Sequence, residues 1–285
     1  MVFSNLRGHL VFLNLKALFS KTIGHHTARI YSIFRLNNDF MRSSISFLCL
    51  LFFVGISRVN AQESSNKSTA AAPLLEKSIA YHDPQNLWPR FKAAMRIEMK
   101  TPNKPLRSTQ IHMDHTKGRF ELNATRGDEH TQYILGPNQC DISFNDRREF
   151  TPEEIKTHRL DCAQAQRMKN YYTYLYGLPM KLKDPGTQLD PMAYKKTFQG
   201  AEYWMLKVSY APEVGKDVWY FYLDPKTYQL RHYQFYHDEQ KGDGEFILLD
   251  GETVIGGIKM PKDRAWYTNL ENNYLGTDFL SALEE

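Results

Sequence analysis

Val218-Trp219-Tyr220-Phe221-Tyr222-Leu223 restricts the fold more than any other segment. Both alternating faces of this stretch are apolar or aromatic, whereas a strand with one wet side carries a polar residue at every second position. Both faces must therefore be covered. Trp204-Met205-Leu206 and the run Tyr233 to Tyr236 share the tendency. A curved antiparallel sheet with helices lying in its hollow answers this pattern. A hollow that the helices fill incompletely becomes an apolar pocket; one that they fill is ordinary close-packed core.

Other segments supply the rest of the sheet. Phe91, Ala93, Met95, Ile97 and Met99 alternate with Lys92, Ala94, Arg96, Glu98 and Lys100, a period of two that turns one apolar face inward. Thr109 to Asp114, Arg119 to Thr125 and Gln132 to Leu135 read as further strands, parted by Lys117-Gly118, Gly127-Asp128 and Gly136-Pro137-Asn138. Tyr203 to Tyr210, Leu230 to His237, Glu245 to Leu249 and Val254 to Met260 continue the series, with turns expected at Asp224-Pro225-Lys226 and at Asp250-Gly251.

Helices are few. Pro73 to Ala80 is a short amphipathic candidate. A second opens at Thr151-Pro152-Glu153-Glu154, where Thr151 caps, Pro152 takes the first position and the acids suit the positive helix end. A third runs from about Leu160 to Leu175 and stops at Gly177 before Pro179. Tyr171 and Leu175 share one side of it and Tyr172 and Tyr176 another, so this helix is expected inside the protein. The fold class that follows is mainly β with some α: a curved antiparallel half-barrel with a few helices in its concave face.

The start of the chain reads as an address. Met41-Arg42 is a basic opening, Ile45 to Ile56 an apolar core of signal-peptide length, and Val59-Asn60-Ala61 a small-residue cleavage site, which places a secretory signal at residues 41–61. The apolar run is short of the roughly 20 residues that a transmembrane helix needs. Residues 1–40 are read as an upstream extension outside the native product, 62–73 as a disordered linker, and 74–285 as one domain. The expected location is periplasmic or otherwise exported, soluble after cleavage and with no remaining membrane span.

Composition then changes meaning. The leader holds seven Lys or Arg and one Asp; removing them from the 36 and 32 of the whole chain leaves 29 basic and 31 acidic residues in 224. A near-neutral domain has no electrostatic footprint for nucleic acid. Only Cys140 and Cys162 remain beyond the leader. In an oxidising compartment they either pair or sit apart as small buried hydrophobes, and both readings stand.

Tyr174-Leu175-Tyr176-Gly177-Leu178-Pro179-Met180-Lys181-Leu182-Lys183-Asp184-Pro185-Gly186, Val218 to Pro225 with Thr227, Gly244-Glu245-Phe246-Ile247, Pro261-Lys262 with Trp266-Tyr267, and Leu275-Gly276-Thr277-Asp278 together resemble an uncharacterised family of bacterial envelope proteins. That family is similar in fold to the outer-membrane lipoprotein carriers of the LolA type. The resemblance covers about Leu74 to the C-terminus and implies a half-open barrel plugged by helices, in proteins that shield acyl chains. Fold alone does not transfer that activity.

Signals of catalysis are weak. His112 and Asp114 fall on one side of a strand and His115 on the other, so they cannot share a metal without a bulge. His232, His237, Asp238 and Glu239 cluster at a strand end, as an exposed turn would. There is no Gly-x-Ser-x-Gly elbow and no phosphate-cradling glycine loop. The expected function is non-catalytic binding, without a cofactor or metal, of a hydrophobic or amphipathic small molecule, acyl chain or lipoprotein. Leu175, Leu178, Met180, Leu182, Trp204, Leu206, Trp219 and Phe221 are the expected lining. The rivals are an envelope interaction module that meets a protein partner through its aromatic surface, and a hydrolase built on the His-rich strand ends.

Overall fold

One antiparallel sheet organises residues 68–283, the part of the chain described by the computed structural model. The signal sequence and upstream extension expected over residues 1–61 lie outside the described residues. β1 (Ser68–Ala70) and α1 (Ala71–His82) come first. β2 (Lys92–Lys100), β3 (Arg107–Asp114), β4 (Arg119–Arg126), β5 (Glu129–Gly136) and β6 (Gln139–Phe144) form one meander. α2 (Pro152–His158) and α3 (Cys162–Tyr176) follow. β7 (Thr187–Leu189), β8 (Met192–Phe198), β9 (Ala201–Tyr210), β10 (Val218–Leu223), β11 (Leu230–Tyr236), β12 (Glu245–Ile255), β13 (Ile258–Thr268) and β14 (Tyr274–Ala282) complete the sheet. In space the order is β1-β8-β9-β10-β11-β12-β13-β14-β2-β3-β4-β5-β6, with β7 paired to β9. β1 and β6 end the two sides without meeting, so the barrel is open.

Local chemistry sets the helix ends. Thr151 Oγ1 accepts from the Glu154 N–H at 3.2 Å and Glu154 Oε2 from the Thr151 N–H at 2.9 Å, the reciprocal cap expected at α2. Asp161 caps α3 by accepting from the Gln164 N–H at 2.7 Å. The residue that follows α3 is glycine for a steric reason: a Cβ on Gly177 would overlap Trp88, Lys181 and the Thr173 carbonyl.

The core lies between the concave face of the sheet and the helices. Met95 and Ile97, then Ile111, Leu122 and Tyr133, carry the inward row across β2 to β5, and Leu206, Phe221, Tyr233 and Ile247 carry it across β9 to β12. Tyr172, Tyr174, Leu175 and Tyr176 of α3 are buried against this face. α1 packs Leu74 and Leu75 into the same core, and its last residue pins it: His82 Nδ1 donates to the Lys259 carbonyl at 2.7 Å while Nε2 accepts from the Leu230 N–H at 3.0 Å.

The convex side of β10 is closed differently. Among the described residues no second layer covers it; rings cover one another. β9 outruns β10 by Ala201 to Tyr203, and this overhang sets Phe198 on the outer surface, stacked on Tyr222 at 4.4 Å. Phe198 meets Phe246 edge-on at 5.8 Å, and Phe246 stacks on Tyr267 at 5.1 Å. Tyr222 is only 3% exposed as a result.

Several boundaries differ from the sequence reading. The linker expected over 62–73 is ordered from Ser68, because β1 pairs with β8 and α1 begins at Ala71. The hairpin turn expected at Asp250-Gly251 lies instead at Gly256-Gly257, both at positive φ, and Gly251 sits inside β12, whose register with β13 is the same on either side of it.

Candidate functional site

α3 crosses the hollow and touches both arms of the open sheet. At its start Cys162 is disulfide-bonded to Cys140 of β6, with the two Cα atoms 6.0 Å apart. Lys169 Nζ donates to the Gly118 carbonyl at 3.1 Å. Near its end the Tyr174 hydroxyl bonds the Tyr210 hydroxyl of β9, and the Tyr174 ring meets Trp219 edge-on at 5.7 Å. Burial holds the Tyr174 phenol well above its ordinary value and pushes Tyr210 up as well, so this pair stays neutral.

The expected lining residues gather at the α3 end of the hollow. Leu175, Leu178, Met180 and Leu182 descend from the helix and the turn after it; Leu206, Trp219 and Phe221 rise from the inner face of β9 and β10. All seven are buried in one cluster, with Trp219 and Phe221 stacked and Phe235 parallel to Trp219 at 4.6 Å. Trp204 shares the inner face of Leu206 but stands at the mouth of the strand, half-buried beneath Lys195 Nζ at 4.8 Å.

A polar group next to this wall was not anticipated. Arg264 of β13 is 1% exposed, packs its guanidinium 4.2 Å over the Tyr176 ring, and donates to the carbonyls of Pro261 at 3.2 Å and Leu175 at 3.4 Å. Beside it the Trp266 Nε1–H donates to Asp278 Oδ2 at 3.3 Å. Across the hollow, Arg107 Nη2 donates to the Tyr172 hydroxyl at 3.3 Å, and the Tyr172 and Tyr176 rings lie parallel at 6.2 Å. Burial lifts the Tyr176 phenol well above its ordinary range against the opposing pull of Arg264. The sequence held one usable signal, since Arg264 falls in phase with Ile258, Met260 and Trp266 on an inward-facing run.

The histidines do not converge. His112 is exposed on the convex side, in a groove of about 270 Å³ with Lys92, Asp114, Lys117, Arg119 and Glu121. His115 bonds the Trp88 carbonyl through Nδ1 at 2.8 Å, and burial lowers its pKa. His232 is buried against Tyr203, and burial with the nearby Arg231 pushes it down to about 4. His237 is raised by its hydrogen bond to Asp217, 2.8 Å from Nδ1 to Oδ1. Among the described residues no three His, Cys, Asp or Glu side chains gather as a metal would need, and no helix is long and apolar enough to cross a membrane.

The described residues thus form an open half-barrel plugged by a helix. Residues 43–284 match the family described as "Family of unknown function (DUF6503)", and the chain belongs to that family. No curated protein matches its sequence. In fold it is similar to a LolA superfamily protein from Nitrosomonas europaea, at 12% identity and a TM-score of 0.39, over 76% of this chain and 94% of that one. It is also similar to a DUF1329 family protein from Desulfovibrio piger, at 10% identity and a TM-score of 0.42, over 74% and 90% of the two chains.

Proposed function

We propose that this protein is an exported, non-catalytic binder that holds an apolar or amphipathic ligand, an acyl chain in the first instance, between α3 and the concave face of the sheet. One observation carries the reading: a helix with buried phenols on two sides occupies the inner curve of a sheet whose two edges are not hydrogen-bonded to each other. A closed barrel fixes its diameter through its ladder. An open one can widen, and a shift of α3 against the sheet would exchange helix side chains for ligand on an apolar wall already made. Each Å² of ligand surface taken from water contributes roughly 25 cal/mol before ordering and association are subtracted. Export is supported by the signal-like run at 41–61 and by the Cys140–Cys162 disulfide, which suits an oxidising compartment.

The test is native mass spectrometry of the purified protein, together with titration by the neutral dye N-phenyl-1-naphthylamine. Co-purifying acyl species and dye fluorescence that rises on binding support the reading. A clean mass and no dye response, before and after lipid extraction, would refute it.

A further inference from the structure

α1 is tied down at both ends. Its first residue donates from the Ala71 N–H to the Pro191 carbonyl at 2.9 Å, directly behind the pairing of β1 with β8, and its last residue is His82. Between them Leu74 and Leu75 join the buried cluster that holds Leu178, Met180 and Leu182, and Glu76 accepts from Lys183 Nζ at 2.7 Å. α1 thus closes the core beside the turn that follows α3.

The His82 ring is fully buried, and both of its nitrogens are engaged by backbone. A carbonyl only accepts and a backbone N–H only donates, so Nδ1 carries the proton towards Lys259 and Nε2 stays bare towards Leu230. Only the neutral ring fits. An imidazolium would set Nε2–H against the Leu230 N–H, two donors head to head, and would strand a charge out of reach of solvent. The surrounding groups do not relieve this. The Lys259 carbonyl and Glu252 of β12 favour the charged form, but the Glu252 carboxylate already accepts from the Tyr81 hydroxyl at 2.8 Å, and the side chains of Lys259 and Arg264 on β13 oppose it. Tyr81 meets the ring edge-on at 5.1 Å and itself faces Arg231 and Asp224, while the Asp83 carboxylate is taken up by the N–H groups of Leu87 and Trp88. Burial prevails and holds the imidazole below its ordinary 6.5.

We infer that His82 is a proton-operated latch on α1: a proton taken up from solvent at Nε2 breaks the ring's hold on β11, and the C-terminal end of the helix comes away from the sheet while β1 keeps the other end in place. In the opened state the imidazole regains its ordinary value, so the latch is engaged above that value and releases as the pH falls below it. The latch itself does not rest on the ligand-binding reading. Its use does, since release of α1 would uncover the apolar wall beside Leu178, Met180 and Leu182.

The test is hydrogen exchange of the full chain without ligand, read by mass spectrometry on peptides of α1, β2 and β11 and corrected for the intrinsic pH dependence of exchange. Between about pH 7.5 and about pH 5 the opened fraction of α1 should rise about tenfold, and about 30-fold is the ceiling that an ordinary imidazole in the opened state allows. The β2 and β11 peptides should stay the more protected at both values, because α1 leaves a sheet that is still folded. In His82→Gln the amide can accept from the Leu230 N–H and donate to the Lys259 carbonyl at any pH, so the rise should shrink below about twofold. No rise in the wild type, a rise that persists in His82→Gln, or an α1 as protected as the sheet at the lower pH would each overturn the latch. Should the variant not fold, the wild-type exchange and the ring nitrogen chemical shifts decide: the shifts must report Nδ1–H at neutral pH, and an Nε2–H tautomer would overturn the latch as well. None of these readouts involves a ligand, so failure here leaves the binding reading standing.

Discussion

His232 makes stability depend on pH in a way that can be worked out in advance. Its ring sits on the convex face of β11, with Nε2 3.1 Å from the Tyr203 hydroxyl and Phe198 at 5.6 Å, while Nδ1 is buried without a partner. Burial first, then Arg231, pushes it down to about 4 from an ordinary 6.5. The folded value is below the unfolded one, so its contribution is complete above about pH 6.5 and is lost as the pH falls towards 4. Linkage over that gap gives about 3 kcal/mol in total, and about 2 kcal/mol between about pH 8 and about pH 5. His82 and His115 are shifted in the same direction, so the wild type loses more than this single share. Replacing His232 by Gln keeps a group for the Tyr203 hydroxyl and removes the titration. Urea unfolding followed by tryptophan fluorescence at the two pH values should show the variant losing about 2 kcal/mol less than the wild type. Equal losses within about 0.5 kcal/mol would refute the argument that burial keeps this ring neutral.

Three further outcomes follow from the packing. Gly177→Ala should destabilise by about 1–3 kcal/mol, read as a lower urea midpoint with unchanged slope, because Trp88 and the Thr173 carbonyl occupy the space of the added methyl. Phe198→Ala should cost about 1–3 kcal/mol, less than a core phenylalanine because the ring is half-buried, since it covers Tyr222 and abuts Phe246, and thermal unfolding measures it. Reducing the Cys140–Cys162 bond, which spans 22 positions, should lower stability by about 3 kcal/mol in denaturant titrations run with and without reductant.

Much of this architecture was visible in the residues. The strict alternation from Phe91 to Met99 became β2 with Met95 and Ile97 fully inward, and the tyrosine-rich stretch before Gly177 became the helix inside the hollow. The expected cover on both sides of Val218 to Leu223 holds in part: the inner face is buried, while on the outer face Tyr222 is buried by rings of the same sheet and Val218 and Tyr220 are half-buried. The misplaced hairpin has a physical cause: Asp250-Gly251 suits a tight turn, but pairing of β12 with β13 along their whole lengths favours the turn at Gly256-Gly257. β14 escaped notice because Leu275, Thr277 and Phe279 blur its alternation, and its buried face exists only once β2 lies beside it. For the site, the oily wall was legible because its residues lie close together in sequence. The approach of Arg107 and Arg264 to one face of α3 was not, because β3 and β13 come into one sheet only in the finished fold, with β2 and β14 between them.

The seam between β14 and β2 sets the order of events when the chain acquires its structure. Ile97 pairs with Leu280, so the strand that joins the two meanders lies far along the chain from its partner β2. Without β14 paired to it, β2 has an open flank and the early meander is not joined to the late one. Pairings so distant along the chain form slowly. Closure of this seam therefore follows the hairpins within each meander, whose partners lie close together along the chain.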